Sequence, residues 1–164
     1  MSKLEVVNSK IKSLEALLPL VRVWKFQGKR IVFTNGCFDL LHLGHVDYLA
    51  KAADMGDKLI IGLNTDRSVS DIKGPARPIT DEKSRASILA SLFFVDAVVL
   101  FSEATPLDLI TSIKPDILVK GADYTIDRIV GAGVVLENGG EVKTIDYIDG
   151  YSTTAIERRI KGAV

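Results

Sequence analysis

The sequence predicts an α/β fold in which a five-stranded parallel sheet lies between two layers of helices. Short continuous apolar runs alternate along the chain with segments whose apolar residues recur every three or four positions. Runs of this kind suit strands that are buried on both faces, whereas the periodic segments suit amphipathic helices. Because no hairpin turn joins two runs, we expect parallel strands connected by right-handed helical crossovers.

The first predicted element is an N-terminal amphipathic helix over residues 9–26, ended by Gly28. Spacings of three and four place its apolar residues on one face. These residues are Ile11, Leu14, Leu17, Leu18, Val21 and Trp24. We expect residues 1–28 to form a helical extension of a single domain that spans residues 1–164, because domains commonly contain about 100–150 residues.

A strand–helix–strand unit follows this helix. Residues 31–33 form the first predicted strand, residues 46–53 carry the next helical stripe, and residues 59–63 form the second strand. The polar segment 66–78 ends in a stretch rich in proline and glycine, so we expect a mobile loop there. Thr80 can cap the next helix. The core-facing residues predicted for that helix are Ala86, Leu89, Ala90 and Phe93.

Three more strands and three more helices complete the predicted fold. The strands cover residues 97–101, 117–119 and 142–145. The helices are one that begins at Thr105-Pro106, a weaker one over residues 126–137 that contains two glycines, and a last one capped by Ser152 that runs through residue 160.

The charge balance argues against broad electrostatic binding. The chain has 21 Lys and Arg residues and 21 Asp and Glu residues, for a formal net charge of zero. We therefore expect no nucleic-acid partner and no membrane partner. Cys37 is the only cysteine, so the chain can form neither an intramolecular disulfide nor a Cys-rich zinc site, which suits a reducing cytoplasm.

The only two histidines, His42 and His45, follow the first predicted strand. Ligands of open parallel sheets bind beyond the carboxyl ends of the strands. Residues three apart share one side of a helical turn, so both imidazoles would face one site at a helix N-terminus that favours phosphate. Gly44 lets the backbone approach a ligand closely. The plain alternative is that both histidines are ordinary surface residues.

Metal and nucleophile chemistry are weaker interpretations of the same segment. The two histidines could be drawn with Cys37 and Asp39 as zinc ligands, but no distant Cys or His completes a tetrahedral set, so we expect no protein-bound metal. Cys37 beside two histidines could act as a nucleophile, although a small buried thiol is the better interpretation.

A second candidate phosphate site lies at the start of the last helix. Residues 150–154 read Gly-Tyr-Ser-Thr-Thr, and consecutive hydroxyls at a helix N-terminus can donate hydrogen bonds to phosphate oxygens. Ordinary helix capping is the alternative. The sequence contains no P-loop, no complete dinucleotide-binding fingerprint after the first strand and no Gly-x-Ser-x-Gly elbow.

The His-Leu-Gly-His segment 42–45 and the segment 150–154 together resemble the His-x-Gly-His nucleotidyltransferase superfamily, in its cytidylyltransferase-like branch. The similarity extends through residues 64–66, Arg85, residues 95–96 and residues 121–124. Within that branch the chain looks most like the adenylyltransferase domain of bacterial ADP-heptose synthesis, over about residues 31–160. The resemblance implies a Rossmann-like three-layer sandwich.

By this resemblance the chain would be a stand-alone enzyme that transfers AMP from ATP to D-glycero-D-manno-heptose 1-phosphate. The products would be ADP-heptose, for lipopolysaccharide or surface glycan synthesis, and pyrophosphate. The enzyme would use Mg²⁺ bound with ATP, act in the cytoplasm and form a homodimer or homotetramer, and a separate kinase would supply its substrate.

The alternative within the same branch is a cytidylyltransferase that acts on glycerol 3-phosphate or a related alditol phosphate. Members of that group carry two arginines where this chain has Phe93 and the segment 146–148. Both differences favour the adenylyltransferase. A non-catalytic nucleotide-binding module is a third possibility, against which the presence of both motifs argues.

The resemblance also implies roles for individual residues. The catalytic residues would be His42, His45 and Lys73. The nucleotide-binding residues would be Asn35, Gly36, Phe38, Asp39, Gly44, Lys120, Gly121, Asp123, Tyr124, Ser152, Thr153 and Thr154. The substrate-binding residues would be Arg77 and Arg85.

Overall fold

One parallel sheet forms the centre of the computed structural model, which describes residues 1–123 and 125–162. The strands of these described residues are β1 (Ile11–Lys12), β2 (Ile31–Gly36), β3 (Lys58–Asn64), β4 (Ala97–Phe101), β5 (Ile117–Gly121) and β6 (Glu141–Ile145). In space they follow the order β1-β4-β3-β2-β5-β6, and every neighbouring pair is parallel. The five predicted strands are confirmed, and a sixth, β1, extends one edge.

Helices cover both faces of this sheet. They are α1 (Lys3–Lys10), α2 (Leu14–Phe26), α3 (Leu43–Ala53), α4 (Asp66–Lys73), α5 (Glu82–Ser91), α6 (Leu107–Ile113), α7 (Ala132–Glu137) and α8 (Thr153–Gly162). Alternate strand residues point to opposite layers: Ile31 and Phe33 join the core formed with α2, α6 and α7, whereas Val32 joins the core formed with α3 and α5. The predicted three-layer α/β architecture is confirmed.

The N-terminal segment differs from the single helix predicted over residues 9–26. Ser13 caps α2 by accepting a hydrogen bond from the Ala16 amide at 3.2 Å, and α1 has already ended at Lys10. Between the two helices Ile11 pairs with Val98 at the sheet edge. The prediction was wrong here because an apolar residue at helical spacing also suits an edge strand. Leu17 of α2 is fully buried, so the predicted N-terminal extension contributes to the core.

Two predictions between residues 66 and 93 also need correction. The first half of the predicted mobile loop is helix α4, which Thr65 caps by accepting a hydrogen bond from the Ser68 amide. Helix α5 is capped by Asp81 rather than Thr80, because the Asp81 carboxylate accepts the Ser84 amide at 3.0 Å. Phe93 is 91% exposed and does not face the core, since α5 ends at Ser91.

The helix predicted over residues 126–137 is interrupted. Residues Ile126–Arg128 form a single 3₁₀ turn, and α7 begins only after Gly131. Gly131 has φ of +84°, and a Cβ there would lie 2.6 Å from the Ile110 side chain, so the chain turns and approaches α6 at this point. The last helix, α8, follows Ser152 as predicted. Within residues 1–123 and 125–162, no helix combines the length and apolarity needed to cross a membrane.

Candidate active site

A cleft of about 350 Å³ lies beyond the carboxyl ends of β2, β3 and β5. Parallel strands bring their carboxyl ends to one edge, so residues distant in sequence meet there. Its walls include ten of the residues that the sequence singled out, namely Asn35, Gly36, Phe38, Asp39, His45, Lys73, Lys120, Gly121, Asp123 and Thr153. The loop after β2 is therefore the centre of the site, as its position in the sequence predicts.

The two histidines form a stacked pair at the N-terminus of α3. Their ring centroids lie 3.8 Å apart with an interplanar angle of 20°. In both imidazoles Nδ1 is buried and has no hydrogen-bond partner among the residues that the structure describes. A buried polar atom without a partner is costly, so the pair marks a candidate ligand site. An anion at the helix N-terminus would fit this arrangement.

Both imidazoles are held in the neutral form by their surroundings. Burial, the neighbouring His42 ring and the cation of Lys73 lower the pKa of His45 to about 4, outweighing a hydrogen bond with the Leu40 backbone that raises it. Burial also lowers the pKa of His42. Negative charge placed beside the rings would raise both pKa values, so binding of an anion would favour uptake of a proton at this site.

Acidification is expected to destabilise the ligand-free chain through His45. The unfolded chain protonates this imidazole near its ordinary pKa of 6.5, whereas the folded chain does so only near pH 4. The unfolded state therefore binds more protons in this window, and the free energy of unfolding falls as the pH is lowered through it. Thermal unfolding of wild type and His45→Gln at about pH 7 and about pH 5 tests this sign. The variant should lose less stability, and an equal loss in both proteins would contradict the pKa shift.

Asp39 joins the loop after β2 to the segment that follows α4. Its buried carboxylate accepts hydrogen bonds from the Arg77 guanidinium at 2.6 Å and from the amides of Ile79 and Thr80 at 2.8 and 3.0 Å. Burial alone would raise the pKa of Asp39, but these three donors hold it below its ordinary value. The carboxylate thus stays ionised and fixes the loop beside Phe38. The Phe38 and His45 rings form a T-shaped pair with centroids 5.2 Å apart.

Arg85 does not lie where a substrate-binding residue is expected. It is only 1% exposed, and its guanidinium donates hydrogen bonds to the carbonyls of Thr80, Cys37 and Asn64 and to the Asp66 carboxylate, at 2.6–2.9 Å. It therefore does not line the cleft but ties together the loops that follow β2 and β3. Sequence alone could not separate these roles, because an arginine suits both a phosphate and a set of backbone carbonyls.

Lys120 and Asn35 form the wall of the cleft at the end of β5. The Lys120 ammonium donates a hydrogen bond to the Asn35 side-chain carbonyl. Burial lowers the pKa of Lys120 to about 8, against the opposing effect of Asp123. Lys73 enters the cleft from the last turn of α4. The cleft therefore receives one lysine from the helix after β3 and one from β5, the two strands that flank β2.

The segment 150–154 borders a neighbouring cavity of about 510 Å³ that His42 shares with Gly150, Tyr151 and Ser152. A Cβ at Gly44 would lie 3.1 Å from the His42 ring and 3.3 Å from Tyr151, so the two predicted phosphate segments pack directly on each other. Within this segment Ser152 caps α8 by accepting the Ala155 amide, and the half-buried Thr153 reaches the main cleft.

Thr154 is exposed and lines neither the main cleft nor the neighbouring cavity. Tyr124 lies outside the described residues.

Cys37 lines the cleft as a free cysteine. Burial raises the pKa of its thiol, even though Lys73 and Arg85 act in the opposite direction. A protonated thiol is a poor nucleophile, which favours the structural interpretation. Among the described residues, no group of three or more His, Cys, Asp or Glu side chains could hold a metal ion.

Tyr147 is a cleft residue that sequence reasoning did not assign to the site. Its ring stacks on Tyr48, with centroids 5.5 Å apart, and Tyr48 is itself fixed by a 2.8 Å hydrogen bond to Thr34. A Cβ at Gly121 would lie 2.3 Å from the Tyr147 hydroxyl, so this glycine makes room for the ring. A small residue at the end of β5 was the available signal, but it does not say which side chain fills the space.

Gly121→Ala is expected to lower kcat/KM about tenfold by pushing the Tyr147 ring away from its place in the cleft. Only the far end of a side chain must move, so the midpoint of thermal unfolding should change little. In a Tyr147→Ala background the same substitution should have almost no further effect. Gly133→Ala is the matched control, because a Cβ there meets nothing within 4 Å. An equal loss of activity with and without Tyr147 would contradict this account.

The chain is similar to several known proteins. The cytidylyltransferase-like family matches residues 33–159. The chain is 56% identical over 151 residues to the bifunctional protein HldE of Methylobacillus flagellatus, covering 92% of this chain and 31% of that protein. It is 54% identical to the HldE of Campylobacter fetus, covering 98% and 33%. The chain thus spans about a third of the length of these curated relatives.

Two solved structures are also similar. A lipopolysaccharide core biosynthesis protein from Thermoplasma volcanium has 31% sequence identity and a TM-score of 0.58, covering 76% of this chain and 99% of that one. A pantoate-beta-alanine ligase from Francisella tularensis has a TM-score of 0.60 at 16% identity, covering 92% of this chain and 76% of that one, and shows the fold alone. With a family match that covers the histidine pair, the cleft and the start of α8, the chain belongs to the cytidylyltransferase-like family of nucleotidyltransferases.

Proposed function

We propose that the chain transfers the adenylyl group of ATP to D-glycero-D-manno-heptose 1-phosphate, which gives ADP-heptose and pyrophosphate. The observation that carries the transfer chemistry is the stacked histidine pair, whose buried Nδ1 atoms have no partner among the described residues. Identity above 50% with HldE proteins and 31% with a lipopolysaccharide core biosynthesis protein supports the heptose acceptor.

The proposed reaction is a direct displacement at phosphorus. A phosphate oxygen of the sugar phosphate forms a bond to the α-phosphorus of ATP, and the bond from that phosphorus to the β-bridging oxygen breaks, so pyrophosphate leaves. The attacking phosphate is already ionised at neutral pH, so the step needs no general base. Catalysis then depends on positioning and on stabilising charge, which suits a cleft in which Cys37 is held as a thiol.

His42 and His45 would stabilise the charge that develops on the bridging oxygen. Both lie at the N-terminus of α3, where backbone amides add to the attraction for phosphate. Lys73 and Lys120 would neutralise the triphosphate from two sides, and Thr153 would donate to it from α8. Neutral imidazoles in the ligand-free site avoid buried positive charge until the nucleotide arrives.

Nucleotidyltransferases that use ATP generally work with a divalent metal, and we propose Mg²⁺ in this role. The cleft fits a metal that arrives with the nucleotide, because Lys73, Lys120 and His45 suit phosphate oxygens and the Asp39 carboxylate is already occupied by three donors. The triphosphate oxygens would hold the ion, and Asp123 is the cleft carboxylate placed near Lys120. The ion would neutralise charge on the triphosphate. We place the reaction in the cytoplasm, where ATP is made.

An assay with four combinations of substrates tests the proposal. Purified chain and Mg²⁺ are incubated with ATP or CTP, and with heptose 1-phosphate or glycerol 3-phosphate, while pyrophosphate is measured. We expect release only with ATP and heptose 1-phosphate. Release that prefers CTP and glycerol 3-phosphate would select the cytidylyltransferase instead, and binding of ATP without release in any combination would indicate a non-catalytic module.

A further inference from the structure

Arg77 lies between two carboxylates that come from distant parts of the chain. One terminal nitrogen of its guanidinium is 2.6 Å from Oδ2 of Asp39, and the other is 2.5 Å from Oε2 of Glu157. The side chains of Arg77, Asp39 and Glu157 are 16%, 0% and 24% exposed, so water screens these ion pairs only in part. The planar fork of a guanidinium can hold two carboxylates at once.

Each of the three ion-paired residues belongs to a segment that carries proposed phosphate-binding groups. Asp39 lies in the loop that leads to the histidine pair. Arg77 follows Lys73 by four residues, and its segment is also fixed by the Ile79 and Thr80 amides on Asp39. Glu157 lies one turn after Thr153 on α8. One guanidinium therefore connects all three segments.

Helix α8 has few other polar anchors. Within residues 1–123 and 125–162, the Arg77–Glu157 contact is the only ion pair that joins α8 to the rest of the chain. Apolar groups also lie along this helix: Tyr151, just before α8, is close to Gly44, and Ile156 and Ile160 line a groove with residues of the loop after β2. Apolar burial is not directional, whereas a short ion pair between partly buried groups favours one rotation of α8.

We propose that Arg77 and Glu157 are positioning residues, which hold α8 against the loop after β2 so that Thr153 and the histidine pair reach the same triphosphate. This role replaces the substrate contact that the resemblance implies for Arg77, because both ends of its guanidinium are occupied. The inference rests on the proposed nucleotidyltransferase function. It assigns to Glu157, which does not line the cleft, an effect on nucleotide affinity.

Glu157→Gln tests this role because it removes the charge and keeps the size of the side chain. We expect the Kd for ATP, measured by calorimetry, to rise about tenfold. The KM for ATP should rise in parallel, while kcat at saturating ATP and the KM for the acceptor stay close to wild type. Glu141→Gln is the matched control, since Glu141 forms exposed ion pairs with Arg30 and Lys143 and lies outside the cleft.

Hydrogen exchange separates positioning from general destabilisation. In Glu157→Gln the amides of α8 should exchange faster while those of β2 and β3 remain protected, and the midpoint of thermal unfolding should change little. Arg77→Lys keeps the charge, but a single ammonium does not reproduce the fork, so it should also weaken ATP binding. A wild-type chain that binds no ATP would contradict the proposed function. If wild type binds ATP and both variants bind it equally well, the positioning role is overturned.

Discussion

His45→Ala should lower kcat for adenylyl transfer at least about 100-fold, with little change in folding, as expected for the loss of one transition-state donor. The imidazole lies in the cleft and stacks on His42, and its Nδ1 has no partner among the described residues. Its removal therefore breaks no hydrogen bond through Nδ1, while a bound nucleotide loses a group beside its phosphates. The steady-state kcat with ATP and heptose 1-phosphate measures this effect.

Lys51→Gln on the same helix is the control for His45→Ala. Lys51 is 52% exposed and forms a surface ion pair with Asp47. Loss of such a pair has little effect on stability. The control should keep wild-type kcat, and both variants should unfold at nearly the wild-type temperature. If His45→Ala changed kcat by only about ten percent, the reacting phosphates would have to lie elsewhere, since loss of a transition-state donor costs far more.

Arg85→Met should lower the free energy of unfolding by about 3–5 kcal/mol, because it leaves buried carbonyls without donors. The guanidinium serves Cys37, Asn64 and Thr80 together with the Asp66 carboxylate. Methionine fills similar space, so lost hydrogen bonds rather than a cavity account for the effect. Urea unfolding measures the change.

Arg30→Met is the matched control for Arg85→Met. Arg30 is 51% exposed and pairs with Glu141 at the surface, so its removal should cost less than about 1 kcal/mol. An equally small loss of unfolding free energy for Arg85→Met would contradict the structural role and favour a substrate contact for this arginine. Arg85→Lys should be intermediate, because one ammonium can reach only some of the acceptors.

Periodicity and motif position were sufficient to predict most of the fold. Buried strands such as β3 are continuous apolar runs, and His42 and His45 follow β2, so the location of the cleft could be derived from topology alone. Strand β1 could not be predicted, because two residues carry no alternation. Its formation depends on pairing with β4, which is a tertiary effect.

The roles of Arg77 and Arg85 could not be predicted from the sequence. The resemblance implies substrate contacts for Arg77 and Arg85, yet both guanidiniums are occupied by protein acceptors. Those acceptors come from loops and a helix far away in sequence, so only the folded chain shows them. The position of Tyr147 in the cleft could not be predicted for the same reason, because it depends on space left by Gly121.

The most direct test of the central claim uses ATP labelled on its α-phosphorus. The chain is incubated with this ATP, Mg²⁺ and heptose 1-phosphate, and the products and the protein are separated. Direct transfer predicts that the label appears in ADP-heptose, in an amount equal to the unlabelled pyrophosphate released, and that none remains on the protein. Label found only in AMP, or covalently bound to the chain, would contradict the proposed reaction.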